Sequence, residues 1–123
     1  MKKLYFLFTL MFAFSIQSQV IITEIADPNN DYQARFIELT NIGDSAFDLT
    51  GYQLVRWTNA NTAYTTSTAV DLSEFGSLQS KGILTLANNT KFETVYGVAP
   101  TKVIGSGGPA DSNGDDNIAI LDP

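Results

Sequence analysis

Carboxylates, hydroxyls and amides are the side chains with which this sequence can do chemistry, because its 123 residues include no Cys and no His. Without thiols and imidazoles there is no cysteine nucleophile, no histidine base and no Cys or His ligand for zinc or haem iron. A serine nucleophile also lacks its usual base. Three kinds of chemistry remain: paired carboxylates, oxygen ligation of hard cations, and binding through aromatic and polar surfaces.

An acidic segment near the end of the sequence has a metal-ligand pattern. Asp111, Asn113 and Asp115 place oxygen ligands at alternate positions, and Asp122 stands where a calcium-binding EF-hand loop has its last ligand. The glycine of such a loop is replaced by Asp116, and no helices are predicted on either side. The Asn-Gly-Asp-Asp run within the segment also favours a simple hairpin turn. Two interpretations therefore stand, a calcium site formed by these residues and a turn without metal.

Two further carboxylates, Glu24 and Glu38, lie in separate apolar segments and are candidates for the paired acids of glycoside hydrolysis. The alternative is structural: each carboxylate accepts backbone hydrogen bonds, or hydrogen bonds from Arg35 and Arg56, and orients the end of a strand. We adopt the structural role and predict no catalytic residue.

Four aromatic residues, Tyr32, Trp57, Tyr64 and Phe75, are candidates for a platform that stacks on sugar rings. A Trp at the end of a strand also suits core or rim packing, because an aromatic side chain buries about 150–250 Å². Tyr32 and Tyr64 lie in polar segments, and binding residues are concentrated in loops. We therefore predict Tyr32, Trp57 and Tyr64 as contact residues for a partner.

Short strands must position these candidates. After residue 19, apolar runs of four to seven residues alternate with clusters of Asn, Asp, Gly, Pro and Ser, which is typical of strands joined by turns. The polar stretch 58–68 is predicted to be a long loop or an edge ribbon. We predict one short helix over 90–96 and strands over 20–26, 35–41, 52–57, 70–72, 82–87, 102–105 and 117–121. The fold class is therefore all-β.

The predicted core follows from strand positions that have apolar neighbours two residues away. On the second strand, Ile37 and Leu39 share one face. The full predicted set is Ile22, Ile37, Leu39, Leu54, Ile83 or Leu84, Leu86, and Ile118 or Ile120.

The first 18 residues predict a removable export signal. Lys2 and Lys3 give a positive start, residues 4–16 form an apolar run, and a short polar exit follows. Thirteen residues of helix span only about 20 Å of a bilayer core of about 30 Å, so no permanent membrane span is expected. We predict export to the extracellular space or the cell surface and one domain over residues 19–123. We also expect a chain truncated at its C-terminus, because it stops in what resembles the opening of a turn.

The charge of the predicted mature chain restricts its partners. Without the signal, five basic side chains remain against 13 acidic ones, a formal charge of −8. Nucleic-acid binding requires a positive surface, so no nucleic-acid partner is expected. An exported chain without Cys also has no disulfides, and its stability must come from a packed core.

Five segments carry a resemblance that covers about residues 20–123. They are Ile22-Thr23-Glu24-Ile25, Phe36-Ile37-Glu38-Leu39-Thr40-Asn41-Ile42-Gly43, Asp48-Leu49-Thr50-Gly51-Tyr52-Gln53-Leu54, Ser80-Lys81-Gly82-Ile83-Leu84-Thr85-Leu86, and Asn113-Gly114-Asp115-Asp116-Asn117-Ile118-Ala119-Ile120-Leu121-Asp122. In this order they resemble the lamin tail domain family, an immunoglobulin-like β-sandwich found at the end of nuclear lamins and in many exported bacterial proteins. Tyr52 stands where the family more often has Trp.

The resemblance implies an immunoglobulin-like sandwich without catalytic residues. Animal members of the family act as docking surfaces for proteins and, in some reports, for DNA. Bacterial members are usually attached to secreted or surface enzymes such as nucleases, or to adhesion and sorting modules. We accordingly expect a non-catalytic protein-interaction or targeting module of an exported bacterial protein, which binds a protein or cell-surface component and needs no cofactor. The alternative is a carbohydrate-binding or calcium-assisted adhesion sandwich.

Overall fold

The computed structural model describes residues 19–123. The predicted export signal over residues 1–18 lies outside the described residues. Across residues 19–123, every helix is too short or too polar to cross a lipid bilayer.

The described residues form nine strands and one α-helix. The strands are β1 (Val20–Ala26), β2 (Phe36–Asn41), β3 (Phe47–Asp48), β4 (Gln53–Trp57), β5 (Val70–Asp71), β6 (Ser77–Leu78), β7 (Ile83–Ala87), β8 (Lys102–Val103) and β9 (Asn117–Leu121), and helix α1 spans Lys91–Tyr96. Short turns of 3₁₀ helix lie in the connections, including Tyr32–Ala34 and Pro109–Asp111. The predicted all-β fold is confirmed, with strand boundaries within two residues of those expected.

Local hydrogen bonds set the turns between strands. The Asp48 carboxylate accepts the Thr50 N–H at 3.0 Å, and Gly51 has a positive φ of 81° that L-residues rarely adopt. Hydrogen bonds from the hydroxyl and the N–H of Thr50 also hold the pKa of Asp48 below its ordinary value. This turn therefore follows directly from the sequence.

The strands form a sandwich. One sheet has the order β1-β2-β7-β8, in which only the β7–β8 pair is parallel. The opposing sheet has the order β5-β4-β9 and is antiparallel. A small antiparallel pair, β3 and β6, completes the fold. This is the all-β fold that the residue pattern predicts and the immunoglobulin-like sandwich that the resemblance implies.

The core lies between the two larger sheets. Ile37, Leu39, Leu54 and Leu86 are completely buried, as predicted, while Ile83 is 53% exposed, so the core position on β7 is Leu84. The predicted residues Ile22, Ile118 and Ile120 pack against the core at partly buried positions. The core also contains buried residues outside the predicted set: Val20, Leu49, Leu72, Leu78 and Ala110.

Helix α1 covers one end of the outer face of the four-stranded sheet. Phe36, which points away from the core, meets Phe92 and Tyr96 edge to face with ring centroids 5.1 Å apart. The helix begins where Asn89 accepts the Lys91 N–H and ends at Gly97, whose φ is 73°. As a result, the side chain of Phe36, the first residue of β2, is buried although it lies on the outer face of the sheet.

Two features of the fold differ from the sequence analysis. The strands β3 and β6 have only two residues each, too few to show a periodic pattern, and were not predicted. The interpretation of the Asn-Gly-Asp-Asp run as a hairpin turn is wrong, because β9 pairs with β4 and not with the preceding strand β8. The segment 104–116 instead connects one sheet to the other.

Candidate interaction surface

Strand directions bring four connecting segments to one end of the sandwich. Strand β2 begins where β1 and β7 end, and β9 begins opposite Trp57, the last residue of β4. The segments 27–35, 58–69, 88–90 and 104–116 therefore meet at this end, which we call the loop end. Two buried arginines hold these segments together.

Arg35 is the first of these arginines. Its Nε donates to Asp27 at 2.9 Å, and its Nη1 donates to the Asp111 carboxylate at 3.2 Å, with only 10% of the arginine side chain exposed. Hydrogen bonding to Asp27 raises the pKa of Arg35 above its ordinary value. The Nδ2 group of Asn88 donates two hydrogen bonds, one to the Tyr32 carbonyl at 2.7 Å and one to the Asp111 carboxylate at 3.2 Å. Three segments of the loop end are thus joined around one guanidinium.

Arg56 lies on β4, between the buried Val55 and Trp57. Its Nη1 is 3.3 Å from the Asp116 carboxylate, and the two side chains are only 10% and 3% exposed. Asp116 also accepts the Asn59 N–H at 2.9 Å, which fixes the start of the 58–69 segment. The desolvation cost of a charged pair this far from solvent is large, so Arg56 depends on its counter-ion.

Gly107 connects the two arginines. Its carbonyl accepts from Arg56 at 3.0 Å, and its N–H donates to Asp111 at 2.8 Å. The network therefore runs without interruption from Asp27 to Asp116 and ties together all four segments of the loop end. Sequence reasoning missed it, although a charged residue within the apolar Leu54–Trp57 strand signals that a buried partner must exist.

The predicted contact residues lie at the loop end, although they do not form one platform. Trp57 and Tyr64 meet edge to face, with ring centroids 5.5 Å apart and planes inclined at 74°. Tyr32 is 52% exposed and lies in the 27–35 segment. Phe75 packs against the core. Because the Trp57 and Tyr64 rings are nearly perpendicular, they do not present a flat surface to a sugar.

The acidic segment is divided by strand β9. Asp111, Asn113 and Asp115 lie at the loop end, whereas Asp122 follows Leu121, which pairs with Gln53 at the opposite end of β4. The five residues of β9 separate these ends by about 16 Å. The Asp111 carboxylate is already bonded to Arg35, Asn88 and Gly107. Within residues 19–123, no three acidic side chains are grouped so as to hold a metal ion.

We expect calcium to change the melting temperature by less than about 3 °C between chelator and millimolar calcium, reflecting only weak screening of clustered acids. A site that binds the folded state alone would add about 2.7 kcal/mol at a hundredfold excess over Kd, or about 10 °C or more for a domain of this size. Differential scanning fluorimetry distinguishes the two cases. A rise of this larger size that disappears in Asp115→Ala would establish a calcium site.

Glu24 and Glu38 face each other across β1 and β2 on the outer face of the four-stranded sheet. Thr23 donates to the Glu38 carboxylate at 2.6 Å. Burial, together with the charge of Glu24, raises the pKa of Tyr96. The predicted hydrogen bonds from the arginines to these glutamates are wrong, because Arg35 and Arg56 pair with aspartates of the loop end.

All the basic side chains between residues 19 and 123 are paired with carboxylates. The pairs are Arg35 with Asp27 and Asp111, Arg56 with Asp116, Lys81 with Asp44, Lys91 with Asp31, and Lys102 with Glu74. Over the same residues, seven carboxylates have no such cation: Glu24, Glu38, Asp48, Asp71, Glu93, Asp115 and Asp122. The charge that remains available to a partner is therefore negative.

We expect the protein not to bind duplex DNA at physiological salt. Each cation of residues 19–123 already has a carboxylate partner, so contact of these residues with a phosphate requires breaking an ion pair against a net repulsive field. Fluorescence anisotropy with a labelled duplex, titrated at several salt concentrations, measures this. Micromolar binding that weakens steeply with salt would contradict the expectation.

Comparison with known protein families gives a match that covers most of the chain. A family model described as Lamin Tail Domain matches residues 15–123, which includes every strand of the sandwich and all four segments of the loop end. A search of curated proteins finds no match to the chain.

Proposed function

Because this chain belongs to the lamin tail domain family of non-catalytic β-sandwich interaction domains, we propose that it is a protein-interaction or targeting module of an exported bacterial protein, without enzymatic activity of its own. The partner is a protein or another component of the cell surface. The observation that carries this proposal is the loop end, where buried ion pairs fix segments that carry the exposed Tyr32 and the partly buried Trp57 and Tyr64.

The loop end suits recognition because its segments are fixed before a partner arrives. Arg35 and Arg56 anchor four segments through charge-assisted hydrogen bonds, so little conformational entropy remains to be lost on binding. Tyr32 and Tyr64 offer large contact areas with few rotatable bonds. The proposal includes no catalytic residue.

Capture of binding proteins from the cell envelope of the source bacterium tests the interaction. We expect Tyr32→Ser combined with Tyr64→Ser to remove the captured partner, because both aromatic contacts are lost. Ile42→Ser is the matched control: Ile42 is 46% exposed and follows β2 at the opposite end of the sandwich. Equal capture by all three proteins would contradict the use of the loop end.

Export is tested by expressing the chain with and without residues 1–18 in a bacterium. We expect the full sequence to release a protein that begins at Gln19 outside the cytoplasm, and the shortened sequence to stay inside. N-terminal sequencing of the released protein measures the cleavage position. Retention of both forms inside the cell would contradict export.

A further inference from the structure

Within residues 19–123, the two larger sheets each leave one strand edge open on the same side of the sandwich. Strand β8 is the last strand of the four-stranded sheet, and β5 is the last strand of the opposing sheet. On the other side, the terminal strands β1 and β9 contact each other. An open strand edge presents backbone N–H and C=O groups that can pair with another chain.

Backbone hydrogen bonds show which groups point outward from these edges. Ile104 donates its N–H to the Ala87 carbonyl of β7 at 2.8 Å, so the preceding residue, Val103, directs its own N–H and C=O away from β7. Leu72 donates to Tyr52 at 2.9 Å, so Asp71 likewise directs its backbone groups away from β4. Each strand therefore presents the outward-pointing N–H and C=O groups of one residue, Val103 in β8 and Asp71 in β5, for pairing with another chain.

A groove of about 450 Å³ lies between the two open edges. Residues 67–71 and Glu74 form one wall, and residues 102–104 and Ser106 form the other. Val70, Val103 and Ile104 supply apolar surface. Lys102 donates to Glu74 across the groove and lies 6.0 Å from the Phe75 ring centroid. The groove thus combines open backbone groups with apolar and acidic side chains, as sites that bind extended peptides do.

The charges indicate the chemistry of the occupant. Among residues 19–123, Asp71 has no cation partner, and the hydroxyl and N–H of Ser73 bond to its carboxylate and hold its pKa below the ordinary value. Glu74 is the second acid of the groove, and it is already paired with Lys102, the one cation among the described lining residues. The described domain as a whole carries a formal charge of −8. An acidic segment would be repelled, whereas a Lys or Arg side chain would meet Asp71 directly.

We propose that this groove binds an extended peptide segment of a partner protein that carries Lys or Arg, and that the segment pairs with the open edge of β8 at Val103. The proposal rests on the proposed function, since it names the class of partner that the interaction module takes. Main-chain pairing supplies affinity, and Asp71 selects for positive charge.

Nuclear magnetic resonance with the ¹⁵N-labelled protein tests this pairing, using the peptide acetyl-Thr-Lys-Val-Lys-Val-Lys-Thr-amide as the probe. We expect the Val103 amide to shift and its hydrogen exchange to slow as peptide is added, and the matching peptide with Glu for Lys to have no effect. Shifts confined to Tyr32, Trp57 and Tyr64, or to the outer face of the four-stranded sheet, would overturn the proposal. Protection of Val103 without peptide, in a protein that sediments as a dimer, would also overturn it, because a second copy would then fill the groove.

Two substitutions separate main-chain pairing from charge. Val103→Pro removes the outward N–H while leaving the Ile104 bond to β7, and it should weaken peptide binding about tenfold or more. Val103→Thr keeps the N–H and a similar shape and should bind like the original protein. Asp71→Asn keeps an acceptor for Ser73 and should weaken binding and reduce its salt dependence. Unchanged affinity in Val103→Pro would overturn the proposal, while the Tyr32 and Tyr64 capture experiment reports separately on the proposed function.

Discussion

Leu39→Ala is expected to lower the free energy of unfolding by about 2–5 kcal/mol. Leu39 is completely buried on β2, opposite Ile22 on one side and Leu84 on the other. Removing its side chain leaves a cavity between the two sheets, because a packed sandwich relaxes only partly around the loss. Urea denaturation monitored by tryptophan fluorescence measures the change.

Ile83→Ala is the matched control for the core. Ile83 lies on the same sheet, opposite Thr40, and is 53% exposed. Its truncation should change the free energy of unfolding by no more than about 0.5 kcal/mol. If Leu39→Ala lowered the free energy of unfolding by less than about 0.5 kcal/mol, the face of β2 that carries Leu39 would not be the one that packs into the core.

Asp116→Ala is expected to cost about 3–5 kcal/mol, because it leaves the Arg56 guanidinium buried without its counter-ion. The same change removes the acceptor of the Asn59 N–H, and Arg56 Nε already has no hydrogen-bond partner among residues 19–123. The loss should persist at 0.5 M salt, since screening acts weakly on a pair this deeply buried. Thermal and urea unfolding at low and high salt measure both features.

Asp115→Ala is the control for the acidic loop. Asp115 is exposed, has no cation partner among residues 19–123, and is the neighbour of Asp116 in sequence. Its replacement removes one negative charge and should change the free energy of unfolding by no more than about 0.5 kcal/mol. Equal losses in the two variants would show that any change in this loop destabilises the fold, and that the Arg56 pair is not the cause.

Local patterns in the sequence determined the fold class and most of the elements. β1 and β9 have the predicted bounds because alternating apolar residues and neighbouring turn residues act over a few positions. The turn at Asp48 and the position of helix α1 follow from hydrogen bonds between residues two apart. The acidic balance also comes from composition alone.

Only the tertiary structure decided which distant residues meet. Arg35 and Asp111 are 76 positions apart, and Arg56 and Asp116 are 60 apart, so no spacing rule could pair them. The sequence assigned both arginines to the wrong carboxylates for this reason. The division of the predicted calcium ligands by β9 and the two open edges beside the groove likewise depend on sheet order. Sequence periodicity determines which face of a strand is buried, but strand order follows from the packing of the whole chain into one core.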